Sequence, residues 1–134
     1  MTESLKISAT IPASPKEVYE AWLSSKQHTE FTGDKAKIDP KVGGKFTAFG
    51  DYISGKNTEL KPGVLIVQAW RTTEFPAGSP ESRLEVSLEK AKGGTKLTLT
   101  QTNIPEGQGA RYKDGWKEFY LQALKKYFTE KKEK

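Results

Sequence analysis

The chain has 134 residues, no cysteine and a single histidine, His28. That size fits one domain, and the missing ligands exclude disulfide scaffolds, cysteine nucleophiles, cysteine-ligated zinc and histidine-rich metal centres. Lysine and arginine number 22 against 17 aspartates and glutamates, a formal charge of +5, but scattered lysines without aromatic interleaving read as solvated faces, not as a nucleic-acid surface.

In chain order, residues 5–11 alternate apolar and polar and predict a strand with one buried face. Ser14-Pro15 with Glu17 is a capping box with proline at the first helical position. Val18, Ala21 and Trp22 then share a helix face, and the helix is expected to end near Ser24. A second short helix is expected over residues 26–31, stopped by Gly33. His28, among polar neighbours, reads as a solvent-exposed histidine.

Strands and turns follow from residue 35 to 102. Gly43-Gly44 opens a strand over 45–49, and 52–60 reads as a weaker one. Pro62-Gly63 marks a type II turn. Residues 64–71 are nearly continuous in apolar character, as a central strand would be. After the Phe75–Pro80 loop, residues 83–89 and 96–101 form a hairpin across Gly93-Gly94.

Beyond Ile104-Pro105 the period becomes helical. Tyr112, Trp116, Phe119, Tyr120, Ala123, Leu124, Tyr127 and Phe128 give one broad apolar face on a helix of about 20 residues. Gly107-Gln108-Gly109 reads as a flexible entry to it, and residues 129–134 as a charged, fraying tail. Gly115 inside this helix costs about 1 kcal/mol relative to alanine. Close approach of helix to sheet is the favoured reason, with ligand access beside Trp116 as the other. The N terminus has no apolar signal-peptide core, and Val64–Val67 falls far short of the ~20 residues a membrane span needs. The expectation is a cytoplasmic protein, not membrane-spanning, forming a single domain over 1–134. Its class is α+β: a curved antiparallel sheet around the long C-terminal helix, with one or two short helices after the first strand.

An ordered set of residues goes further. Val42-Gly43-Gly44-Lys45-Phe46, Gly50 with Ser54-Gly55, Leu60-Lys61-Pro62, Ile66-Val67 with Trp70-Arg71, Phe75-Pro76, Ile104-Pro105 and Gly115-Trp116 fall in sequence and spacing. Together they resemble the activator of heat-shock protein 90 ATPase homologue 1-like family, in the START-like (SRPBCC) superfamily, over about residues 10–128. The resemblance implies a helix-grip (START/Bet v-like) fold, and a superfamily theme of ligands held between helix and sheet. The Asn-x-Trp-His-Trp element of the eukaryotic co-chaperone is absent.

Trp22, Phe31, Phe46, Phe49, Trp70, Tyr112, Trp116 and Tyr120 are the candidate ligand-binding residues, as walls of an apolar pocket with tyrosine hydroxyls to orient a guest. No catalytic residue, metal or cofactor is assigned; Asp51, Glu59, Arg71 and Tyr112 are the polar groups that could point inward. The expected function is binding of a small hydrophobic molecule, lipid or aromatic. The alternative is a co-chaperone-like module whose partner is a heat-shock protein 90 type chaperone. A cyclase- or hydrolase-like enzyme stands behind both.

Overall fold

The computed structural model describes residues 2–132. The N-terminal alternation becomes strand β1 (Thr2–Ile11), which buries Leu5, Ile7 and Ile11 on one face. Ser14 caps α1 (Pro15–Leu23): its Oγ accepts from the Glu17 amide at 3.1 Å, while Glu17 Oε1 accepts from the Ser14 amide at 2.9 Å. The reciprocal box satisfies amides that a helix start leaves open, and Pro15 sits where no amide is needed. Ser24 ends α1 and caps α2 (Ser25–Thr32), which stops at Gly33 in the left-handed conformation.

Six strands follow: β2 (Lys37–Ile38), β3 (Lys45–Ala48), β4 (Ile53–Lys61), β5 (Leu65–Thr72), β6 (Ser82–Ala91) and β7 (Gly94–Pro105). All pairings are antiparallel, in the order β1-β7-β6-β5-β4-β3-β2. The apolar β5 therefore holds the middle position its composition predicts. Between β4 and β5 the Val64 amide bonds the Lys61 carbonyl at 2.9 Å, and Gly63 has φ 73°, as a type II turn requires. β2 spans only two residues, too few to leave a period in the sequence.

The closing helix departs from the simple periodic reading. α3 (Gly109–Gly115) runs into a π-helical segment, Trp116–Leu121, and then α4 (Gln122–Lys132). The Gln122 amide bonds the carbonyl of Lys117, five residues back. The cause lies in the spacing of the buried side chains Tyr112, Trp116, Tyr120, Leu124 and Phe128, which recur at strict steps of four. At 3.6 residues per turn each such step drifts about 40° around the axis. One turn closed by i→i+5 bonds absorbs an extra residue and returns Leu124 and Phe128 to the core.

Of the tail expected to fray, residues 129–132 continue α4; 133 and 134 lie outside the described residues. The entry to α3 is tethered, not flexible. Glu3 of β1 accepts from the amides of Gly107 and Gly109 at 3.0 and 2.8 Å, which holds its carboxyl below the usual range. Helices and sheet share one buried cluster, in which Trp22, Trp70 and Trp116 meet Ile66, Leu84, Val86, Leu97 and Leu99. Among the described residues no helix is long and apolar enough to cross a membrane.

Candidate functional site

The π-helical turn looks onto a cavity of about 410 Å³ between helix and sheet. Ile53 of β4 and Trp70 of β5 line the sheet side, and Tyr112, Trp116 and Tyr120 the helix side; all five are buried. Phe49 and Tyr52 are half-buried lining residues, while Asp34, Arg111 and Phe119 stand exposed at the mouth. Gly115 completes the lining.

Five of the eight aromatics singled out in the sequence thus meet at this cavity: Phe49, Trp70, Tyr112, Trp116 and Tyr120. The other three, Trp22, Phe31 and Phe46, are buried but do not line it. Trp22 lies behind the wall, with ring centroids 6.1 Å from Trp116 and 5.0 Å from Tyr120. Phe31 backs His28 and Tyr120 in the same way, at 4.8 and 5.7 Å. An apolar period tells which residues leave water but not which layer of the core receives them. Tyr52, Phe119, Arg111 and Asp34 were missed for the converse reason, because turn residues and a helix edge carry no pattern that marks a cavity mouth, and Ile53, buried at the start of β4, because that strand reads only weakly in the sequence.

The polar groups of the walls already have partners. Trp116 Nε1 donates to Gln101 Oε1 at 2.8 Å, Gln101 Nε2 to Ser82 Oγ at 2.9 Å, and Ser82 Oγ to the Trp70 carbonyl at 2.7 Å. Tyr112 donates to Gln108 Oε1 at 2.6 Å and sits 2.7 Å from Thr72 Oγ1. Arg111 Nη1 donates to Glu74 Oε1 at 2.9 Å, and the Tyr52 hydroxyl bonds the other oxygen of that carboxylate. Burial, reinforced by the Glu74 bond, pushes the Tyr52 phenol up to about 12. The cavity therefore offers aromatic faces inside and charge only at its mouth.

His28 is not the exposed histidine its neighbours suggest; it is 4% exposed. The turn between α1 and α2 points it inward, beneath Tyr120. Nδ1 lies 2.8 Å from the Trp22 carbonyl, which can only accept, so Nδ1 carries the proton. Nε2 then accepts from the Tyr120 hydroxyl at 2.8 Å. Burial lowers its pKa to about 4, the carbonyl bond opposing only part of that shift.

Gly115 also reads differently in three dimensions. A Cβ placed there would meet only Phe119 Cδ2, at 4.0 Å, so no close approach to the sheet requires a glycine. What lies beside it is the cavity. Among the polar candidates, Tyr112 lines the cavity but Asp51, Glu59 and Arg71 do not. Asp51 is exposed in a turn, Glu59 pairs with Lys61 at 3.7 Å and Arg71 with Glu81 at 3.3 Å.

The sequence profile of the Activator of Hsp90 ATPase homolog 1-like protein family matches residues 12–129. The chain belongs to this family. An activator of 90 kDa heat shock protein ATPase homolog from Dictyostelium discoideum is 30% identical over 129 residues, 96% of this chain and 33% of the relative. The human homolog 1 is 28% identical over 127 residues, 95% of this chain and 37% of its own length. This family member thus spans about a third of these curated relatives. The crystal structure of an HSP90 activator from Plasmodium falciparum superposes with a TM-score of 0.85 at 29% identity, covering 94% of this chain and 96% of that one. A Mesorhizobium loti protein, at 20% identity and a TM-score of 0.80 over 96% and 98% of the two chains, shares the fold. With these likenesses the curved sheet and closing helix are the expected helix-grip arrangement.

Proposed function

We propose that this family member holds a small apolar or amphipathic molecule, lipid or aromatic, between its sheet and its closing helix. One observation carries the reading: a glycine in regular helical backbone, Gly115, and the π-helical turn that follows it meet at the wall of the 410 Å³ cavity. A helix glycine costs about 1 kcal/mol, and single π turns within α-helices are frequent at functional sites. Packing explains the wide turn through the four-residue stripe but leaves the glycine unexplained; room for a guest accounts for both. Ligand pockets run to roughly 300–1,000 Å³ with mostly apolar walls, so size and lining fit together. Because the wall hydroxyls are engaged, the guest is one that asks for few hydrogen bonds inside and can leave a polar end at Asp34 and Arg111.

The test is native mass spectrometry of protein purified from its own host, beside a Gly115→Leu variant whose side chain would enter the cavity. A bound small molecule in the parent that is absent from the variant is expected. A clean unliganded mass, with no binding across a library of lipids and aromatics, would remove the proposal.

A second reading rests on the comparisons. Relatives and a structural neighbour that matches the chain over nearly its full length are described as activators of the 90 kDa heat-shock protein ATPase. Under this reading the protein docks on such a chaperone and raises its ATP turnover. A coupled ATPase assay with the chaperone of the same host checks it: an increase in turnover supports this role, and none, together with failure to co-purify, ends it.

A further inference from the structure

The outer face of the sheet carries an arrangement the cavity does not use. Register places Lys37, Thr47, Ser54 and Arg71 in one row across β2–β5. The next row holds Lys45, Lys56, Ala69 and Arg83 across β3–β6. The neighbouring Phe46 and Asn57 are buried while Lys45 and Lys56 are exposed, so both rows point away from the core. Thr47, Ser54 and Ala69 floor a hollow of about 550 Å³ flanked by Lys37, Lys45, Lys56 and Arg71, with Glu81 beside Arg71 as its one acid.

Three points separate this patch from ordinary surface lysine. Lys45 and Lys56 are direct cross-strand partners, and like charges in that position destabilise a sheet. The two arginines of the rows have their own acids, Glu81 at 3.3 Å and Glu85 at 3.0 Å, whereas Lys37, Lys45 and Lys56 have no ion pair among the described residues. A lysine on an edge strand guards against strand pairing; that accounts for Lys37 on β2, the end of the sheet, but not for the pair inside it.

We infer that this hollow is a docking surface for an acidic segment of a partner protein, whose carboxylates lie among Lys37, Lys45 and Lys56. Charge complementarity names the partner's chemistry. The floor of small and hydroxyl side chains gives the segment access and hydrogen-bonding groups. The one aromatic residue lining the hollow, Phe46, is buried, so no ring there is open for bases to stack on, and no exposed large apolar side chain for insertion into lipid lines it. The surface is independent of the cavity, and an acidic segment could belong to a chaperone or to another protein.

The test titrates a fluorescein-labelled octaglutamate peptide into the full chain at low salt, with poly-uridylate RNA and phosphatidylserine vesicles as parallel probes. Lys45→Glu/Lys56→Glu should weaken peptide binding by about tenfold or more, while the equally charged control Lys90→Glu/Lys92→Glu, at the far hairpin, should change it less than about twofold. Because the like-charge pair becomes an opposite-charge pair, Lys45→Glu alone should melt about 1–4 °C higher than the parent and still bind the peptide more weakly, so that its lost binding is not lost folding. Equal weakening by both double variants, no peptide binding by the parent, or tighter patch-dependent binding of the RNA or the vesicles would overturn the inference. A negative ATPase result with the chaperone would leave it standing.

Discussion

His28 shows how one residue couples core packing to solution conditions. Its ring is needed neutral, because Nε2 must accept from Tyr120 and nothing nearby compensates a positive charge. The folded pKa of about 4 lies below the unfolded value of 6.5, so between the two the unfolded chain binds the extra proton. Stability is therefore full above about pH 6.5 and falls as pH drops toward 4, by up to roughly 3 kcal/mol. Urea denaturation followed across that range should show the slope in the parent and a flatter one in His28→Gln; a parent with no slope would refute the assignment. Gly115 makes the opposite prediction. A Cβ has open space there and the backbone is helical, so Gly115→Ala should raise stability by about 0.5–1 kcal/mol while narrowing the cavity. Thermal unfolding checks the first effect and ligand retention the second. Neither behaviour was legible in the chain itself. A histidine among polar neighbours and a glycine within a helical period each fit a bland environment, and only the fold decides what faces them.

At the scale of elements the local chemistry was largely legible. The Ser14–Glu17 box fixed the start of α1, and Ser14→Ala should cost about 1 kcal/mol in a chemical denaturation experiment. Strand alternation placed β1, β6 and β7 because one face of each is buried and the other wet or half-wet, while β5 was legible from its nearly continuous apolar run. The closing helix was legible as a helix but not as a wide-turned one, although the signal was present: five buried residues at steps of four cannot hold one face of a regular α-helix. That reading makes a prediction of its own. Deleting the exposed Phe119 from the π-helical segment should regularise the turn without rotating α4, leaving a folded protein within about 2 kcal/mol of the parent. Leu124→Ala, by contrast, should cost about 2–5 kcal/mol. Circular dichroism with urea titration distinguishes the two, and collapse of the deletion variant would show that the wide turn does more than restore register.

For the whole molecule, sheet and helix must be considered together, because the cavity belongs to neither. If a guest occupies it, stability becomes a function of guest concentration: at about 100 times its dissociation constant a ligand adds roughly 2.7 kcal/mol. A melting temperature that rises with added ligand in the parent but not in Gly115→Leu is the expected result. The order of elements, the class of fold and most of the buried residues were determined by the sequence alone, since periodicity and capping are local properties that each segment carries. Trp22 and Trp116 could not be told apart in that way. Both are apolar helix residues, yet one backs the wall and the other forms it. That difference arises when α1, α2 and the closing helix choose their depth against the sheet. The same holds for Lys45 and Lys56, unremarkable until strand register sets them opposite each other. An abundance of lysine, a scarcity of catalytic groups and a wealth of aromatic rings were read from composition. Which lysines face one another, and which rings enclose space, only the tertiary structure decided, because both depend on contacts between residues far apart in the chain.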